Sequence, residues 1–111
     1  MSAWTPIPNG FRGDVGSEGG HVRLDEEHGL GARMTLEEGG TTAPWAITCG
    51  IYGWMCHTVY FGNETEARTA RSSMKARLEE ILRLIPRRDD VEADSATAAV
   101  CEAIEKFVAD F

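Results

Sequence analysis

The chain has 111 residues, 42% hydrophobic and 8% aromatic, and its 11 Lys+Arg against 18 Asp+Glu give a formal net charge of -7. That supply of apolar side chains supports one packed core and excludes collagen-like and disordered classes, and no apolar run reaches the length of a membrane span. The acidic balance argues against a nucleic-acid backbone or an anionic membrane surface as partner.

Residues 1–20 hold Pro6, Pro8 and five glycines, a density too costly in chain entropy for a helix. Trp4, Ile7 and Phe11 are spaced along this stretch, which predicts an arm laid on apolar surface ahead of a single domain at 21–111. No cationic stretch leading into an apolar run opens the chain. The three cysteines, Cys49, Cys56 and Cys101, are too few and odd in number for a disulfide scaffold. Both points lead to the expectation of a cytoplasmic protein with reduced thiols. The tripeptides Arg12-Gly13-Asp14 and Asn63-Glu64-Thr65 match short recognition signatures that recur by chance, and no function is read from them.

From His21 the pattern alternates. Val22 and Leu24 fall on one face of a strand, and a second run turns Ala32, Met34 and Leu36 inward and Arg33, Thr35 and Glu37 outward. Period two across a glycine-bearing connection predicts an antiparallel hairpin with one wet face. Residues 45–61 are the most apolar stretch and too long for one ordinary strand. A two-residue turn at Tyr52-Gly53 would fold them into a second hairpin, with a single long bent strand as the alternative. That turn places Cys49 opposite Cys56, within disulfide range although thiols are expected, and Thr48 opposite His57. Neither face of this hairpin is polar enough to be left to water.

Asn63 with Glu66 three residues on resembles a capping box. Ala67, Ala70, Met74, Leu78, Ile81, Leu82 and Ile85 recur at helical spacing until Pro86 stops them. Asp90, Asp94 or Ser95 would cap a second helix whose apolar face is Val100, Ile104, Phe107, Val108 and Phe111. The fold class that follows is α+β, an antiparallel sheet of about four strands in two hairpins with two C-terminal helices packed on one face. Net charge divides into -4 over residues 1–62, +3 over 63–88 and -6 over 89–111, so the first helix is a basic element between acidic ones. Arg68, Arg71 and Lys75 on one side of it form a candidate anion site.

Signatures of chemistry are sparse. No phosphate-cradling glycine loop, C-x-x-C or H-E-x-x-H pattern occurs, so no metal and no cofactor are expected. An apolar setting raises the pKa of a thiol and leaves it inert, which makes Cys49 and Cys56 poor nucleophiles; Cys101 reads as core. His21 and His28 read as solvated strand-end residues. Asp25-Glu26-Glu27 and Glu37-Glu38 approach each other across the first hairpin, as solvated carboxylates rather than a cation site. The candidate ligand site is a sheet–helix pocket at His57, with Thr48 as its partner and Tyr52, Trp54 and Tyr60 as walls. The reading is a small binding or interaction protein without catalysis of its own, expected as a homodimer because a second copy would cover the sheet face that the helices leave bare. An enzyme or ligand carrier built around His57, and an acidic inhibitor or immunity-type protein that blocks a basic partner, are the alternatives.

Overall fold

The computed structural model describes residues 3–7, 15–86 and 93–111, with side chains of the second helix from residue 97 onward. Phe11, the Arg12-Gly13-Asp14 tripeptide and Asp90 lie outside the described residues, as do the side chains of Asp94 and Ser95.

Among the described residues five strands form one antiparallel meander in chain order: β1 (Trp4–Pro6), β2 (His21–His28), β3 (Ala32–Glu38), β4 (Trp45–Ile51) and β5 (Met55–Phe61). Helices α1 (Glu64–Leu84) and α2 (Ala93–Asp110) follow, and α1 packs across β4 and β5. The architecture is α+β, as the alternating patterns followed by two amphipathic stretches lead one to expect. The four strands of the two hairpins are joined by a fifth, because the arm contributes a short edge strand to β2. Among the described residues no helix is long and apolar enough to cross a membrane.

Trp4 explains why the arm lies down. Its ring is buried, stands edge-on to His28 at 5.3 Å and carries the Lys75 ammonium over its face, while Nε1 donates to Glu79 at 2.9 Å. One large amphipathic side chain thus ties the sheet edge to α1. His28 is therefore not solvated, as its strand-end position suggests; it is buried, and its Nδ1 accepts the Leu30 N–H at 3.1 Å.

The side of the sheet under the helices holds the core. Met34, Leu36, Ile47, Cys49 and Ile51 meet Met74, Leu78, Ile81, Val100 and Phe107. Asn63 caps α1 by accepting the Glu66 N–H at 2.8 Å. Arg71 and Lys75 point from α1 onto Glu26 of β2, so the basic stripe holds sheet to helix.

Two register details depart from the sequence reading. A β-bulge between Val22 and Leu24 sends Leu24 to the helix side and Val22, opposite Glu37, to the other. An extra residue in one strand does this wherever it is inserted, so the two do not share a face. The second hairpin turns through Tyr52-Gly53-Trp54, with Gly53 at φ 82 and Trp54 N–H donating to Ile51 O at 2.9 Å. Its pairs are Ile51 with Met55, Cys49 with His57 and Thr48 with Thr58. The expected pairs, Cys49 with Cys56 and Thr48 with His57, are off by one residue, and a one-residue slip exchanges the faces of a whole strand. The physical reason is packing: the observed register puts Met55, Val59 and Phe61 beside Ile47 and Ile51 under the helices, where the two-residue turn would have put Cys56, Thr58 and Tyr60.

Candidate functional site

The face of the sheet away from the helices carries Val22, Asp25, Glu27, Arg33, Thr35, Glu37, Thr48, Cys56, Thr58 and Tyr60, by strand alternation from the pairs above. The expectation of two apolar faces is thus overturned. The shifted register gathers apolar side chains on the helix side and leaves this one polar.

Asp25 organises one half of it. Its side chain is only 2% exposed, and it accepts Arg33 Nε at 3.0 Å, Arg33 Nη2 at 2.6 Å and the Thr35 hydroxyl at 3.1 Å. A bidentate carboxylate–guanidinium pair is geometrically rigid as well as strong, and the bond to Asp25 holds the Arg33 pKa above its ordinary value. Beside it the hydroxyls of Thr48 and Thr58 lie 3.1 Å apart. Tyr52 donates to Glu27 at 2.7 Å, a bond that raises the phenol pKa and fixes the hairpin loop over this face, while Tyr52 N–H donates to Gly31 O at 2.9 Å.

The other half is closed by residues 15–20. Glu37 is fully buried, and its Oε1 accepts the Glu18 and Gly20 N–H groups at 3.2 and 3.3 Å. Gly16 lies so close to this carboxylate that any Cβ there would overlap it, at 2.4 Å from Cδ. Tyr60 donates to Glu18, which raises its pKa. Among the described residues the second oxygen of Glu37 is buried without a partner.

Between the Tyr52 loop and the Gly16-Ser17 strap runs a groove of about 600 Å³. Val22, Arg33, Thr35, Thr48 and Cys56 line it, with Tyr52 and Trp54 at one end, and Gly50 leaves its floor without a side chain. Its size falls within the range of small-molecule sites, roughly 300 to 1,000 Å³. The hydroxyls and the anchored guanidinium supply hydrogen-bonding groups over an otherwise apolar lining. Cys56 is an exposed free thiol in that lining, whereas burial pushes the Cys49 thiol on the opposite face up to about 12.

The proposed ligand residues therefore separate. Thr48, Tyr52 and Trp54 line the groove. His57 lies on the helix side, edge-on to Phe107 at 6.2 Å, with Nε2 buried and unpartnered among the described residues, and so cannot join Thr48. Tyr60 sits beyond the groove on the Glu18 strap. Of the anion-site candidates, Arg68 is exposed and 3.6 Å from Glu64, while Arg71 and Lys75 are occupied by Glu26. The carboxylates of the first hairpin disperse to Arg33, Arg71, Tyr52 and Arg23. Among the described residues no three His, Cys, Asp or Glu side chains are arranged to hold a metal ion. The sequence reading missed the Asp25–Arg33–Thr35 cluster. Its signal was present, since all three side chains fall on outward positions of neighbouring strands and have complementary hydrogen-bonding chemistry.

No family model, curated protein or solved structure matches this chain.

Proposed function

We propose that the chain is a cytoplasmic binding protein without catalysis of its own, which holds a compact, uncharged ligand in the groove on the uncovered sheet face. The observation that carries this reading is the form of the groove, a sheet floor opened by Gly50 and bordered by polar groups already fixed by one another. Arg33 is neutralised by Asp25, which favours a neutral ligand with a hydrogen-bonding edge over an anion. Thr48 and Thr58 share one hydroxyl contact and retain acceptor capacity toward a guest.

Cys56 reports on occupancy. Fragments selected by thermal shift should protect Cys56, but not the exposed Cys101 on α2, from alkylation, and Cys56→Trp should abolish their binding while the fold persists. Hits that leave Cys56 as reactive as Cys101 would refute the groove as the site.

A second reading, an acidic protein that blocks a basic partner, is favoured by one observation. Asp25 and Glu27 flank Arg33 while Glu18 and Glu37 meet at the strap, so among the described residues carboxylates outnumber basic groups on or beside this face. It requires a basic protein to be captured at low salt and released as salt rises; capture that is indifferent to salt would remove it.

A further inference from the structure

We propose that the outer edge of β5 is the docking site for a second copy of this chain, antiparallel about a two-fold axis at Thr58, and that the partner's Tyr60 completes the outer wall of the groove. The groove-completing part rests on the ligand reading above; the strand pairing does not.

The two edges of the sheet are treated differently. At one end β1 is three residues long, includes Pro6 and is secured by Trp4. A short edge with a proline offers little to an incoming strand. At the other end β5 runs for seven residues, MCHTVYF, without Lys, Arg, Asp, Glu, Pro or Gly, and its pairing with β4 has no bulge. In an antiparallel pair alternate residues turn their N–H and C=O groups outward. The outer side of β5 therefore presents such a row with none of the charges, prolines or kinks that keep edge strands apart.

The strand is also complementary to itself. A two-fold interface requires that residue i meet j while j meets i. Full antiparallel overlap pairs Met55 with Phe61, Cys56 with Tyr60, His57 with Val59 and Thr58 with Thr58. Each pair joins residues two apart or a multiple of two, so helix-side side chains stay with helix-side ones and the uncovered face continues into the partner. Half-buried Phe61 gains Met55 as an apolar neighbour, Val59 meets the imidazole of His57, and no formal charge opposes another along the strand. A second copy is thus the occupant the strand itself specifies, in a place the sequence reading did not foresee, since that reading used the dimer to cover an apolar face. Cys56 lines the groove and Tyr60 is 44% exposed. In the pairing they stand opposite, so the ring that lies outside the groove of its own chain borders the groove of its partner.

Light scattering and disulfide trapping test this. The native chain should scatter at twice the chain mass at micromolar concentration. In a Cys56→Ser, Cys101→Ser background, Thr58→Cys should oxidise to a covalent dimer, because the two sulfurs face each other at the axis. Tyr60→Cys should cross-link only where Cys56 is retained, since like positions lie four residues out of register. Tyr60→Lys, an exposed position whose change leaves the core intact, should yield a folded monomer. A native monomer, or a dimer that Thr58→Cys does not trap, overturns the proposal. If Thr58→Cys cross-links but fragments fail to protect Cys56, the pairing stands and the groove reading falls.

Discussion

The two faces of the sheet are drawn from the same strands yet are held by different physics. Under the helices, Met34, Leu36, Ile47 and Ile51 are almost wholly withdrawn from water, and stability there scales with buried apolar area. On the other side the side chains are ordered by discrete polar links, among them Asp25 to Arg33 and Thr35, Thr48 to Thr58, and Glu37 to two backbone N–H groups. The contrast teaches that this sheet does not need a second layer to be satisfied. One face makes the fold, and the other is the one we propose for recognition.

The largest test of that division is Phe107→Ala. Phe107 is fully buried against His57 and Phe111, so truncation should cost about 3–5 kcal/mol in chemical denaturation and abolish cooperative unfolding at modest denaturant. On the uncovered face Asp25→Ala should cost less, about 1–3 kcal/mol, because Arg33 loses its partner but remains one-third exposed. An Asp25 effect equal to that of Phe107 would erase the distinction. The pH dependence sharpens it further. Burial keeps Cys49 protonated to about pH 12, whereas an unfolded thiol ionises near 9. Between those values the folded state holds the extra proton, so the contribution of Cys49 to stability should fall as pH rises above 9, by about 1 kcal/mol per pH unit, and the difference between the native chain and Cys49→Ala should shrink accordingly. The exposed Cys56 on the other face should react with thiol reagents under conditions that leave Cys49 untouched. The smallest effect belongs to Thr48→Val, which removes one hydroxyl contact and should cost no more than about 1 kcal/mol.

Much of the helix-covered half was legible in the residues because burial imposes a period. Ala32, Met34 and Leu36 alternate, and Ala67, Met74, Leu78, Ile81 and Leu82 recur at helical spacing, and all of them are buried in the elements that these patterns predict. Trp4 and its apolar spacing also announced an arm that lies against something. Periodicity alone could not count the residues in a turn. Tyr52-Gly53 and Tyr52-Gly53-Trp54 both place a glycine where the chain reverses, and the choice depended on the helices accepting Met55, Val59 and Phe61 as their contact surface. The bulge at Arg23 is of the same kind, an insertion invisible to alternation. His57 suffered most from this, because a single step of register decides whether it meets Thr48 or Phe107. The groove is the least legible feature, since its walls come from separated segments brought together only by the loop at Tyr52 and the strap at Gly16.

Amide chemical-shift mapping, during titration with fragments that stabilise the protein, decides whether recognition belongs to the uncovered face. Shifts should concentrate at Arg33, Thr35, Thr48 and Cys56, with α1 and α2 unmoved. Shifts confined to the helices, or centred on His57 and Phe107, would contradict it.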